Sequence, residues 1–135
     1  MKKLFTSALA TSVATVALAT MLATSTASAA LVFTNLTLLN GWKTYSATVR
    51  APKVAIDADG VVHFLGAIKE GTLSHVFTLP AQFRPAKITY VVADMCGGAA
   101  GRLRIEPDGQ VYAVADVSFD DAQCFTSIEG AQFAK

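Results

Sequence analysis

Ile56-Asp57-Ala58-Asp59-Gly60-Val61 and Ile105-Glu106-Pro107-Asp108-Gly109-Gln110-Val111 repeat one pattern 49 residues apart, an Asp-Gly pair set between alternating apolar runs. Glycine supplies the positive φ that a tight hairpin demands, and Pro107 presets a type I turn leading into Asp108 and Gly109. Each stretch therefore reads as a β-hairpin. Two copies are too few for a solenoid, and they fit one hairpin on each half of a sandwich.

Working outward, alternation and β-branched residues dominate everything after residue 30, and no window of a dozen residues there carries an apolar stripe at helical spacing. Expected strands are Val32–Leu39, Thr44–Val49, Lys53–Asp57, Val61–Lys69, Thr72–Leu79, Ile88–Ala93, Arg102–Glu106, Gln110–Val114 and a last stretch Phe125–Phe133. Punctuation falls between them at Asn40-Gly41, Ala51-Pro52, Asp59-Gly60, Glu70-Gly71, Arg84-Pro85 and Asp108-Gly109. Eight or nine short strands in about a hundred residues imply an all-β, antiparallel β-sandwich of jelly-roll type, with Trp42, Phe64, Phe77, Leu79, Ile105 and Phe133 in its core.

The first 29 residues read as a secretory signal peptide. Lys2 and Lys3 precede an uncharged apolar run, and Ala27-Ser28-Ala29 is a small-residue cleavage pattern. The run Leu4–Leu22 is about as long as the ~17 to 25 residues of a membrane anchor, but it is built mostly of Ala, Thr, Ser and Val and leads straight into the cleavage pattern. No Cys follows that pattern to carry a lipid; Leu31, Val32 and Phe33 stand there. The expected product is a single domain, residues 30–135, free in the periplasm or outside the cell and away from the membrane after cleavage. Its 106 residues carry nine Lys and Arg against ten Asp and Glu. A net charge of −1 argues against nucleic acid or an anionic membrane, both of which call for a basic surface.

Cys96 and Cys124 are the only cysteines, and export places them where disulfides persist. Both read as loop residues. A bond between them pins a long loop against the last strand and contributes ~2 to 4 kcal/mol. A redox role would call for Cys-x-x-Cys or a neighbouring His, and neither is present.

Other chemistry is sparse. With a two-residue loop at Glu70-Gly71, His63 faces Thr78 and His75 faces Gly66, which puts the two histidines on opposite faces and argues against a shared metal. His75 then reads as a ring covering a glycine gap. Asp57, Asp59, Asp94, Asp116, Asp120 and Asp121 are oxygen donors of the kind calcium takes, with Asp116, Asp120 and Asp121 as the best cluster, but no Asp-x-Asp-x-Asp-Gly loop closes on a Glu. No metal and no cofactor is expected. Hydrolase chemistry lacks a Gly-x-Ser-x-Gly elbow, so the chain is not expected to be an enzyme. Among the aromatics, Trp42, Tyr45, Tyr90 and Tyr112 would suit a sugar-stacking or interface surface, although Trp42 reads better as a plug at the mouth of the sandwich. Asn35-Leu36-Thr37 matches a glycosylation sequon and reads as strand sequence.

From Leu39 to Phe133 the chain resembles the C-terminal β-sandwich domains at the tips of tailed-phage tail fibres and baseplate receptor-binding proteins. The residues that carry the resemblance begin with Leu39-Asn40-Gly41-Trp42, Tyr45, Pro52, Asp59-Gly60-Val61, Phe64, Gly66 and Gly71-Thr72. They continue with Leu79-Pro80, Arg84-Pro85, Ile105, Asp108-Gly109, Val111, Ile128-Glu129-Gly130 and Phe133. The most specific part is the run hairpin, Leu-Pro, four residues, Arg-Pro, strand. The resemblance implies an antiparallel sandwich in a secreted bacterial form that often assembles as a homotrimer and recognises host-surface saccharide or protein. It also implies a rigid bend between sheets at Leu79–Pro85.

The expected function is a secreted, non-enzymatic binding or adhesion module for a cell-surface glycan or protein. A self-assembling structural envelope protein and a small secreted hydrolase are the competing readings. Ligand contact is expected at loops 94–101 and 116–123, with Asp94, Arg102, Asp116, Asp120 and Asp121 as the contact residues and the Cys96–Cys124 bond holding both loops rigid.

Overall fold

A computed structural model describes residues 29–135; the expected signal peptide, residues 1–29, lies outside the described residues apart from Ala29. The strands are β1 (Thr34–Asn35), β2 (Lys43–Thr44), β3 (Lys53–Ile56), β4 (Val61–Leu65), β5 (Ala67–Lys69), β6 (His75–Thr78), β7 (Thr89–Met95), β8 (Ala100–Ile105), β9 (Gln110–Ala115), β10 (Thr126–Ser127) and β11 (Gln132–Ala134), with one short helix, α1 (Phe119–Cys124), between β9 and β10. They form two antiparallel sheets, one ordered β1-β3-β4-β11 and the other β2-β5-β10-β7-β8-β9-β6. The fold is an all-β sandwich, as the sequence implies.

Both Asp-Gly turns do what their chemistry requires. Asp57 N–H donates to Val61 O and Gly60 N–H to Asp57 O, while Glu106 N–H donates to Gln110 O and Gly109 N–H to Glu106 O. Gly60 and Gly109 take φ of 81° and 94°, so each closes a type I turn in the left-handed region where a Cβ is penalised. One hairpin, β3–β4, belongs to the four-stranded sheet, and the other, β8–β9, belongs to the seven-stranded sheet.

Strand alternation then places the core. On β4, β7 and β8 every second residue is buried, which is the two-residue period of a strand with one wet face. Trp42, Phe64, Phe77, Leu79, Ile105 and Phe133 are all buried. Phe64 on β4 meets Phe77 of the opposite sheet at 6.1 Å between ring centroids, and each such ring contributes about 1.5 to 3 kcal/mol by leaving water.

Several strand assignments change. The expected run Val61–Lys69 breaks at Gly66, whose φ is 106°, so β4 stays in the four-stranded sheet while β5 crosses to the other. The last stretch, Phe125–Phe133, breaks in the same way into β10 and β11, in opposite sheets. The two crossings run side by side: Ile128 N–H donates to Gly66 O and Gly130 N–H to Phe64 O. Gly66 N–H donates to Glu129 Oε2 at 2.8 Å, and Glu129 is ion-paired with Arg50.

The expected hairpin at Glu70-Gly71 does not form, because β4 pairs with β3 and β11 while β6 pairs with β9. His75 therefore does not cover Gly66; the backbone of Arg50 and Ala51 does, within 3 Å of where a Cβ would point. The short link from Lys69 to His75 joins the second strand of the larger sheet to its last. Five strand spacings laid flat measure about 24 Å, whereas six residues of extended chain reach about 21 Å. The sheet must curl, and it does so into a half-barrel bridged by Leu39 and Asn40. Leu39 N–H donates to Val76 O, Asn40 Nδ2 to His75 O, and Thr72 N–H to Asn40 O, at 2.8 to 2.9 Å.

The Leu79–Pro85 segment is not a bend between sheets, since β6 and β7 share one sheet. It carries a Greek-key crossing from β6 to β7, with a 3-10 turn at Ala81–Phe83 packed against β3. Arg84 Nε donates to Leu79 O at 2.8 Å, and Leu79 N–H donates to Gly109 O, which clamps the crossing onto the second Asp-Gly turn. Helix α1 has no counterpart among the expected elements because its six residues fall below any helical window. Its local signal is Ser118, whose Oγ accepts from Asp120 N–H at 3.2 Å as an N-cap.

Candidate functional site

The outer face of the seven-stranded sheet carries a cluster of side chains suited to recognition. Cross-strand register aligns Tyr90 with Arg104, Arg104 with Tyr112 and Tyr112 with His75, which makes one row across β7, β8, β9 and β6. The neighbouring row is Val92, Arg102 and Val114. The Asp108-Gly109 turn sets the β8–β9 register, and the turn at Cys96–Gly98 sets that of β7–β8. Inward neighbours Val91, Leu103 and Val111 are buried, while Tyr90 is 58% and Val92 81% exposed.

Arg104 is the centre of the row. Its guanidinium lies 4.6 Å over the ring of Tyr112 and one Nη pairs with Glu106 Oε1 at 2.7 Å, which leaves Arg104 Nε buried with no hydrogen-bond partner. Tyr112 packs on His75 at 5.2 Å between centroids, and its hydroxyl donates to Gln110 Oε1 at 2.7 Å. Gln110 Nε2 in turn donates to Asp108 Oδ2. The Gln110 backbone N–H and then its side-chain amide hold the Asp108 carboxyl below the usual carboxylate range. Rings fixed in this way present flat faces with polar edges, and a guanidinium supplies forked donors for carboxylate or hydroxyl groups.

The sequence-derived contact residues separate into three places. Arg102 and Asp116 come together, Nη2 to Oδ1 at 3.0 Å, at the margin of this face. Asp94 stands exposed on β7, opposite Ala100 of β8 and Ser127 of β10. Asp120 and Asp121 sit in the first turn of α1, where carboxylates favour the positive end of the helix. Cys96 and Cys124 are bonded, with Cα atoms 5.6 Å apart, but Cys96 belongs to the tight β7–β8 turn and Cys124 ends α1. The bond thus staples a hairpin tip to a helix and does not pin a long loop. Arg104, His75 and Val92 are not among the expected contacts; the signal that points to Arg104 and Tyr112 is the register dictated by Asp108-Gly109.

The aromatic set also divides. Trp42 is a core plug, Tyr45 packs edge-on against Phe125 at 4.8 Å, and Tyr90 and Tyr112 share the outer face. His63 and His75 are in different sheets. His63 Nε2 lies 2.7 Å from Asp57 Oδ2, at the side of a cleft of about 810 Å³ bounded by Leu31, Val32, Ile56 and Phe83. Asp57 is held below the usual carboxylate range by His63 and then by the Val61 backbone N–H, and its Oδ1 also accepts from Asp59 N–H; the pair fastens the first Asp-Gly turn.

No known family model matches the chain, and no curated protein matches it significantly.

Proposed function

We propose that the domain is an exported, non-enzymatic binding module that receives a cell-surface glycan or protein on the outer face of its seven-stranded sheet. The observation that carries this reading is the row Tyr90, Arg104, Tyr112 and His75, in which the Tyr112 and His75 rings and the Arg104 guanidinium are held against one another before any ligand arrives. Preorganised aromatic and arginine side chains lower the ordering cost of binding. The Cys96–Cys124 disulfide suits an oxidising compartment, and among the described residues no helix is long and apolar enough to cross a membrane. The resemblance to phage tail-tip sandwiches supports host-surface recognition and extends the reading to a homotrimer, for which light scattering is expected to give a mass near three times that of the monomer.

The test is a glycan array paired with pull-down from cell-surface extracts, using the mature domain and its Arg104→Ala and Tyr112→Ala variants. Retention of a glycan or protein that weakens about tenfold in Arg104→Ala supports the reading, since a hydrogen bond to a charged group is worth about 1.5 to 3 kcal/mol. Retention unchanged by both substitutions, or no retention at all, removes the outer face from consideration.

A further inference from the structure

Strand β7 is paired along its whole length on one flank, Thr89 through Asp94 against β8. On its other flank β10 covers only Met95 and Asp94. Thr89 to Ala93 therefore form an open strand edge in the middle of the sheet. Met95 N–H donates to Ala99 O. By the alternation of an antiparallel ladder, Ala93 and Val91 also bond to β8, and the backbone groups of Tyr90 and Val92 point the other way. Among the described residues no strand receives them.

A groove of about 540 Å³ runs along this edge, between Tyr90, Val92 and Asp94 on one wall and Glu129, Ala131 and Gln132 on the other. The second wall ends in β11, the last strand of the four-stranded sheet. At ~3.3 Å per residue, ~4.8 Å between strands and ~10 Å between sheets, such a volume holds about three to four residues of one extended chain. The edge has none of the usual guards against pairing: Thr89–Ala93 contain no Lys, no Pro and no charge, and the β7–β8 register is continuous. The two acidic side chains in the lining, Asp94 and Glu129, are its only charged groups among the described residues. Glu129 is ion-paired with Arg50, whereas Asp94 has no side-chain partner among the described residues.

We propose that this notch is a strand-addition site for an extended segment of another polypeptide, apolar at alternate positions and carrying a Lys or Arg near the Asp94 end. Backbone bonds to Tyr90 and Val92 supply affinity, and the alternating pockets and Asp94 supply specificity. Two facing walls admit a single chain, which favours a peptide segment over the edge of a second folded sheet. The site meets the outer-face row at Tyr90 but is separable from it, since it uses the backbone of β7 and not the side chains of Arg104, Tyr112 and His75.

Amide exchange on the mature domain is the starting measurement: the Tyr90 and Val92 amides are expected to exchange freely and those of Val91 and Ala93 to be protected. A random dodecapeptide display library is then panned against the domain, and selected peptides are synthesised and titrated. Peptides with alternating apolar residues and a terminal Lys or Arg that slow exchange at Tyr90 and Val92 support the proposal. Val92→Pro deletes the outward donor while sparing the β8 ladder, and an outward-facing N–H on an open edge is a strand setting in which Pro is tolerated; the change is expected to weaken binding at least tenfold. Asp94→Asn, an exposed change that leaves the fold intact, is expected to weaken it severalfold and to reduce its salt dependence. The proposal is overturned by protection of Tyr90 and Val92 in the free monomer, by a panning that enriches nothing, or by peptides indifferent to both variants. Self-association that Val92→Pro abolishes also overturns it, because the occupant is then a second copy. Each of these outcomes leaves the glycan-array result standing.

Discussion

The indole of Trp42 lies so close over Gly71 that a β-carbon at position 71 would sit 1.9 Å from the ring. Trp42 is 4% exposed, donates Nε1–H to Leu73 O at 2.8 Å and meets Phe119 edge-on at 6.2 Å. One ring thus joins the β5–β6 link, the start of β2 and helix α1, and closes the half-barrel where its two margins meet. Gly71→Ala is expected to cost about 1 to 3 kcal/mol in urea denaturation, the usual range for overpacking. In a double-mutant cycle with Trp42→Phe the two costs are expected to sum to more than the double variant shows, as contacting residues do.

Gly66 is the hinge at which one extended run changes sheets. Its φ is 106°, and an added Cβ would fall 2.7 Å from Arg50 O, so backbone strain and a backbone clash act together. Gly66→Ala is expected to lower stability by about 2 to 5 kcal/mol, with a lower urea midpoint as the readout. Glu129→Ala is expected to be milder, about 1 kcal/mol, because the carboxylate it removes from Gly66 N–H is partly exposed.

Cys96 and Cys124 are 28 residues apart in sequence. Closing a loop of that length restricts the unfolded chain by about 3 to 4 kcal/mol at 25 °C. Cys96→Ala with Cys124→Ala is expected to lose about that amount in equilibrium denaturation. Faster hydrogen exchange at Ala122, the buried residue of α1, is expected to accompany it, because the staple is what holds the helix end to the hairpin tip.

Glu70 lies between Lys43 Nζ at 2.8 Å and Lys69 Nζ at 3.0 Å. The hydrogen bond from Lys43, followed by that from Lys69, brings its carboxyl from an ordinary 4.5 down to about 2. A carboxylate depressed on folding stabilises the protein above its unfolded pKa, and that contribution is lost as pH falls from about 4.5 through about 2. Asp57 and Asp108 are displaced in the same direction, so all three favour the folded state at neutral pH and lose that effect in acid. Carboxyl-detected NMR titration is expected to show the Glu70 midpoint near 2 and to shift it upward in Lys43→Met.

Local chemistry is legible in the chain itself. Asp59-Gly60 and Asp108-Gly109 announce their hairpins because a positive φ at glycine is a property of a few consecutive atoms, and Trp42, Phe64, Phe77, Leu79, Ile105 and Phe133 announce the core because alternation is a property of one strand. Partner choice is not legible there. Glu70-Gly71 looks like a hairpin turn, yet a turn signal states only that the chain changes direction, and here the next strand pairs with β9. The candidate site shows the same division: the β8–β9 turn places Arg104 beside Tyr112, whereas their alignment with His75 and Tyr90 depends on which strands become neighbours.

The sequence by itself determined an all-β chain with two Asp-Gly hairpins, its principal core residues and the sole available cysteine pairing, since each of these depends on residues adjacent in the chain or on a pair with no alternative. Only the tertiary structure decided that Gly66 and Ile128–Gly130 send single runs from one sheet into the other, that the larger sheet curls until Leu39 and Asn40 bridge its margins, and that β7 keeps an open edge. Those outcomes follow from long-range backbone pairing and from the limited reach of short links, and neither is encoded in any one window of residues.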